Sequence, residues 1–331
     1  MAKGQGKVAS DKSAIVAALP RACSNEPAAV EFMETYRWKK TGPCCPRCGD
    51  TDVYQMKDRK TGERNKRFLW RCNGCKKQYT VRVGTVFEDS RIPLRHWCYA
   101  FWAASVSKKG VSALQIKRQT GLTYKSALFM MHRIRFAMAP DFSAMPKLGG
   151  KGSVVEADET YVGGRPRYKS GKGGFHRGVF NNTGKAPIVA LVERGGNIRS
   201  FAPADVTAAN VAQILQENAS TKSQLMTDRS AVYTQVGRRF ARHGTTNHHL
   251  GEYARSDGTH SNTIESAFSL LKRGIMGTFH SVSRKHLHRY VAEFDFRWNA
   301  RKIDDGARTV LAIQGAEGKR LRYKEPAVKV A

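Results

Sequence analysis

The sequence has no run approaching the ~20 consecutive apolar residues of a membrane span, and no basic amphipathic helix set apart from the rest of its pattern. An N-terminal apolar stretch, Ala14 to Leu19, is shorter than the ~7 to 15 residues of an export signal and stops at Pro20-Arg21. No membrane partner is therefore expected. Acidic residues are also scarce: 27 Asp+Glu stand against 57 Lys+Arg, a formal charge of +30 over 331 residues. The excess runs along the chain and is not confined to a tail, which implies a polyanionic partner, nucleic acid. The expected location is the cytoplasm, in association with the nucleoid.

Cysteine is sparse but patterned. Two Cys-x-x-Cys pairs, Cys45/Cys48 and Cys72/Cys75, each have a glycine close by. An odd total of seven cysteines, without an export signal, points to metal and not disulfides. Four thiolates in two turns meet the tetrahedral demand of one structural zinc ion, with Phe68 to Arg71 as ribbon between them. Cys23, Cys44 and Cys98 fall outside the spacing.

In chain order, residues 1–24 read as a basic tail, disordered at its start and running into a short helix over Ala14 to Leu19, and residues 25–90 as a helix capped by Asn25 followed by the zinc ribbon, with a further strand over 79–87. Residues 91–145 open with a Trp97, Phe101, Trp102 stripe suited to a core, then give helix, glycine turn and helix over 109–135, with Thr123 as N-cap. This is a helix-turn-helix candidate, and Tyr124, Lys125, Arg133 and Arg135 are its candidate DNA contacts. After a linker at 140–152, strands are expected at 154–162, 187–193, 197–203, 224–228 and near 245–250, with helices at 207–218, 262–273 and 284–301. That order predicts an α/β domain over 153–302, a mixed sheet with helices on its faces. A basic excursion at 163–186, holding six Lys and Arg residues and no acid, is placed to hold a phosphate backbone. Residues 303–331 read as a basic C-terminal tail.

Three acids stand at the ends of separate elements of the α/β domain: Asp158 in the first strand, Asp228 closing a later one, and Glu265 near the start of a helix. Carboxylates are hard oxygen ligands suited to Mg²⁺ or Mn²⁺, and a pair of such ions can activate an attacking oxygen and stabilise a leaving one in phosphoryl transfer. Strand alternation places Asp158 and Glu159 on opposite faces, so that one of them faces a cleft; Glu159 is either the ligand in place of Asp158 or a supporting partner. Lys272 lies two turns beyond Glu265 on the same helix face, and Arg273 follows it, both within reach of a DNA backbone.

The segments Arg37-Trp38, Cys45 to Gly49, Ala157 to Gly164, Thr227-Asp228, His260 to Glu265, Leu271 to Gly274, Lys285 to Tyr290 and Glu293 to Arg301 together resemble the ISXO2-like insertion-sequence transposases of bacteria. That family joins a zinc ribbon to an RNase H-like DDE domain. The resemblance implies that Asp158, Asp228 and Glu265 are the acidic triad holding two Mg²⁺ or Mn²⁺ ions, that Lys272 is the basic residue following the Glu, and that one zinc sits on the four cysteines. It also implies that the N-terminal half recognises terminal inverted repeats of double-stranded DNA, with a homodimer or larger homo-oligomer acting on element ends and target. Two other functions compete: a nuclease or resolvase of the same fold that hydrolyses without strand transfer, and a zinc-ribbon, helix-turn-helix regulator whose acids are inert.

Overall fold

The computed structural model describes residues 11–39, 41–163, 185–246 and 254–322, and the basic excursion lies almost wholly outside the described residues. The chain divides into one unit made of residues up to Pro140 together with those from Ala300, and a second unit spanning Asp141–Asn299. Among the described residues no helix is long and apolar enough to cross a membrane.

The first unit begins with two helices, α1 (Asp11–Ser24) and α2 (Glu26–Arg37). Asn25 caps α2 as its sequence signals, its side chain accepting from Ala28 N at 3.0 Å, with Pro27 in the first turn. A small antiparallel ribbon follows: β1 (Val53–Gln55), β2 (Trp70–Cys72) and β3 (Gln78–Tyr79), paired in that order. Trp38 meets Trp70 edge-on at 5.3 Å and Tyr79 at 6.4 Å, and the buried Glu34 of α2 accepts from Trp70 Nε1 at 2.7 Å. These aromatic contacts give a three-stranded piece too small for its own core an apolar base.

The strand expected over 79–87 stops at Tyr79. Residues 80–90 form successive turns instead, with Val83 N, Thr85 N, Glu88 N and Ser90 N each bonding the carbonyl three residues back. Gly84 takes a φ of 76°, a value that glycine adopts without strain, and Val81, Val86 and Phe87 are buried. Burial of these anchors overrides the β-forming pattern. Phe87 packs edge-on against Trp97 and Phe101 of α3 (Leu94–Val106), so that part of the aromatic stripe is core as expected.

Helices α4 (Ala113–Thr120) and α5 (Tyr124–Met138) form with the expected glycine turn between them. Ser112 and Thr123 cap them, and Gly121 closes α4 in the left-handed region at φ 72°. Both expected tails are partly helical. In α1, Ile15, Leu19 and Ala22 recur at helical spacing and are buried; in α10 (Asp305–Gln314), Asp304 caps the helix and Thr309, Val310, Ala312 and Ile313 are buried. The N-terminal helix agrees with the short helix expected there, whereas after residue 303 apolar side chains at these intervals override the basic composition on which the tail expectation rested.

The second unit is a five-stranded mixed sheet ordered β6-β5-β4-β7-β8, from β4 (Val154–Gly163), β5 (Lys185–Glu193), β6 (Ile198–Phe201), β7 (Gln224–Asp228) and β8 (Arg242–Thr246). The first three in chain order pair antiparallel, and β7 and β8 then run parallel to β4. Helices α6 (Ala208–Asn218) and α7 (Ala231–Gly237) cover one face over Val155, Ala157, Leu191 and Leu225. Helices α8 (Asn262–Gly274) and α9 (Leu287–Asn299) cover the other over Ile188, Ala190 and Val192. Burial from both sides explains why Ala186 to Val192 is an almost unbroken apolar run.

Along the open side of β6, α9 supplies backbone partners: Asp295 accepts from Ser200 N at 2.7 Å and Ser200 Oγ at 2.6 Å, while Asn299 bonds both Ile198 N and Ile198 O.

Candidate metal centres and nucleic-acid surface

The two cysteine knuckles converge. Cys45 Sγ lies 3.6 Å from Cys75 Sγ, and Cys48 Sγ lies 3.6 Å from Cys72 Sγ. A tetrahedron with metal–sulfur bonds of about 2.3 Å has edges of about 3.8 Å, so the donor set fits zinc. Local turns produce the arrangement: Gly49 N bonds Cys45 O at 2.9 Å, and Cys75 N donates to Cys72 Sγ at 3.4 Å. Cys44 adjoins the cluster without joining it, and Cys23 and Cys98 lie elsewhere; burial pushes the Cys23 thiol up to about 11.

The second cluster is acidic. β7 pairs with β4 only across Val154 to Glu156, and continuing that register by two residues puts Asp158 beside Asp228, the last residue of β7. Backbone amides hold both carboxylates: Glu159 N donates to Asp158 at 2.8 Å and Ser230 N to Asp228 at 3.1 Å. Carboxylate oxygens of Asp158, Glu159 and Asp228 all lie within 4.8 Å of one another. Such a spread is what divalent ions bound at about 2.1 Å can bridge.

Glu159 is thus part of the cluster. Alternation does hold, since Asp158 pairs with Ala190 on the α8/α9 face and Glu159 with Val189 on the α6/α7 face. Beyond the pairing with β7, however, side chains from both faces reach the strand edge. Tyr233 of α7, fully buried, donates to Glu159 Oε2 at 2.7 Å and holds it there. Glu265 stands in the first turn of α8, outside the mutual 4.8 Å group, with Ser261 Oγ bonded to its Oε1 at 3.2 Å.

The cluster's electrostatics follow from burial of like charges. Burial and then the charge of Asp228, with smaller contributions from Glu159 and Glu265, push Asp158 up to about 7 against the opposing Glu159 amide. Glu159 is raised too, by burial first and by Asp228, while the Tyr233 bond pulls it down. A cation at this place would relieve both.

The candidate DNA contacts separate into two groups. Lys272 and Arg273 are exposed in the last turn of α8, and Tyr124 and Lys125 are exposed in the first turn of α5. Arg133 and Arg135 are buried, at 8% and 1% exposure, which corrects the expectation that they face DNA. Arg133 donates to Leu321 O at 3.2 Å and Glu88 O at 3.0 Å and stacks over Phe129. It ties chain segments together inside the first unit, a role that the periodicity of α5 alone does not reveal. Two further side chains escaped sequence reasoning: Tyr233, and the fully buried Glu156, two residues before Asp158 on the same face. Nothing local marks Tyr233, whereas an acid inside an apolar strand is a signal for Glu156.

Residues 147–299 match the ISXO2-like transposase domain and residues 24–78 the transposase zinc-ribbon domain. The chain is similar to an uncharacterized protein in transposable element ISH50 of Halobacterium salinarum, 27% identical over 288 residues that cover 82% of this chain and 90% of the relative. Among solved structures it bears a slight likeness to the Mos1 strand transfer complex, 13% identical with a TM-score of 0.20, covering 59% of this chain and 73% of the other. A pre-cleavage Mos1 transpososome is 12% identical with a TM-score of 0.20, covering 90% and 98%. With both matched domains in one chain, in this order, the protein belongs to the insertion-sequence transposases that pair a zinc ribbon with an ISXO2-like transposase domain.

Proposed function

We propose that the protein cleaves DNA at the ends of its element and joins the freed 3′-hydroxyl to target DNA, with Asp158, Asp228 and Glu265 as its catalytic acids. The observation that carries this is the meeting of Asp158 and Asp228 at adjacent strand ends, with Glu265 in the first turn of the helix packed on the same face. An RNase H-like fold for the second unit is supported by its strand order and directions, three antiparallel strands followed by two parallel ones.

In this reading the carboxylates of Asp158 and Asp228 are direct ligands of divalent ions, Mg²⁺ or Mn²⁺, two per site, and Glu265 completes the set from α8. When bound, the ions supply positive charge that lowers the cost of forming an oxyanion nucleophile and of releasing the leaving oxygen. The protein's own contribution is to hold the acids on rigid strand ends and to hold DNA beside them. Lys272 and Arg273, exposed two turns along α8 from Glu265, contact phosphates of the bound strand. Tyr124 and Lys125 at the start of α5 contact the ends in a helix-turn-helix manner, and the Cys45, Cys48, Cys72 and Cys75 ribbon holds one zinc as structure. Double-stranded DNA is the partner, with two or more copies needed to act on two ends.

Labelled DNA carrying the inverted repeats that flank the gene, incubated with protein and Mg²⁺, tests this directly. Cleaved ends and joined products are expected, and Asp228→Asn should abolish both while still binding the ends. Cleavage without joining would establish the nuclease alternative, and binding without cleavage the regulator.

A further inference from the structure

Glu156 is fully buried, yet it stands outside the group of close carboxylates formed by Asp158, Glu159 and Asp228. Its partners lie at the start of α8. Ile264 N donates to its Oε2 at 3.0 Å and Thr263 Oγ1 to its Oε1 at 3.0 Å. Ser261 occupies the N-cap position of α8 but makes no side-chain cap bond. A strand carboxylate therefore satisfies an amide that a cap residue ordinarily would, and the Ser261 hydroxyl turns to Glu265 Oε1 at 3.2 Å.

A buried carboxylate needs a counter-charge, and Arg194 in the β5–β6 turn provides it at 2.6 Å from Nε. The same guanidinium donates to Gly258 O at 3.0 Å and His260 O at 2.8 Å, the segment leading into α8. Its own backbone amide bonds Val154 O in β4 at 3.0 Å. One side chain thus fastens the strand that carries Asp158 to the helix that carries Glu265.

We propose that Glu156 and Arg194 are positioning residues for Glu265: they fix the first turn of α8 onto β4 and so set how tightly the acid cluster holds a divalent ion, without touching that ion. The proposal rests on the reading of Glu265 as a metal ligand. It assigns to the acid before Asp158 a capping role, and to Arg194 a role that a lysine cannot fill, because three directed donors in one plane are required.

The test is a double-mutant cycle on the full chain, with Mn²⁺ affinity read from the spin-resonance signal of the free ion and thermal melting recorded alongside. Glu156→Gln keeps an oxygen acceptor but removes the charge that Arg194 grips. It should weaken Mn²⁺ binding about 10-fold or more in the wild-type background, the range seen when groups supporting a ligand are changed, and have no further effect in a Glu265→Gln background. Generalised loosening of the fold would instead weaken binding by the same factor in both backgrounds, and that additivity overturns the proposal. Wild-type Mn²⁺ affinity in Glu156→Gln overturns it as well. If Glu265→Gln itself binds Mn²⁺ as tightly as wild type, the metal reading of Glu265 fails and the proposal falls with it, an outcome distinct from additivity. Should Glu156→Gln not fold, Arg194→Lys enters the same cycle, where it keeps the charge, loses the fork and should show the same dependence on Glu265.

Discussion

The buried Tyr233 hydroxyl donates to Glu159 at 2.7 Å, and that contact holds beside Asp158 and Asp228 an acid that strand alternation alone would turn away. The fixed carboxylate lies close enough to share a cation with them. Glu159→Gln should therefore lower Mn²⁺ affinity measurably, though less than Asp158→Asn, and Tyr233→Phe should have a smaller effect in the same direction. Calorimetric titration of Mn²⁺ into each variant checks this; a Glu159→Gln protein that binds like wild type would mean the acid is a bystander.

Stability should depend on pH through Asp158. Its carboxyl titrates at about 7 in the fold, against 3.8 for the ordinary value, so between these limits the native state holds a proton that the unfolded chain has released. Stability is then lost as pH rises from about 4 to about 7 and stays lost above it. Asp295, buried in α9 and also pushed up to about 7 by burial against the opposing Ser200 bonds, adds a change of the same sign. Melting of metal-free protein should accordingly be higher at pH 5 than at pH 8, and Asp158→Asn should remove part of that difference. Mg²⁺ or Mn²⁺ should raise the melting temperature more at pH 8 than at pH 5; an equal rise at both would separate the ion from this carboxyl.

Zinc should be present at one per chain. Cys72→Ser removes a ligand from a ribbon too small to hold a core of its own, resting on the Trp38, Trp70 and Tyr79 contacts and the Glu34 bond, and should release the metal and unfold residues 45–79. Hydrogen exchange should show the strands of the second unit as protected as before. Loss of protection in β4 or β7 would contradict an independent ribbon.

Basic residues of α5 should divide by burial. Arg133→Ala strips the donor from the Leu321 and Glu88 carbonyls and should cost about 1–3 kcal/mol of stability. Lys125→Ala, at an exposed site, should leave melting unchanged while weakening end-DNA binding and flattening its salt dependence. A Lys125→Ala protein with the wild-type salt slope would remove the first turn of α5 from the interface.

Much of the second unit is legible in the sequence because its elements carry local signals. Arg194-Gly195-Gly196-Asn197 marks the turn between β5 and β6, Thr207 caps α6, and the amphipathic pattern of α8 fixes Glu265 in its first turn. The zinc ligands are legible for the same reason, since each pair lies within one turn. What escaped depends on contacts distant in sequence. Tyr233 is 74 residues from Glu159, and Arg133 is 188 from Leu321, so neither the added acid nor the buried arginine has a local mark. The short β3 is a different case, where β-forming residues 80–87 yield to the burial of Val81, Val86 and Phe87.

The bonds from Asp295 and Asn299 to β6 also bear on how copies of the protein can associate. An outer strand with unsatisfied amides is a template for another chain, and α9 has already taken those on Ser200 and Ile198. While these bonds hold, two copies of the chain cannot be stitched into one continuous sheet through this border. Asp295→Ala or Asn299→Ala would unmask it, and its first symptom should be concentration-dependent self-association at temperatures where the protein is still folded.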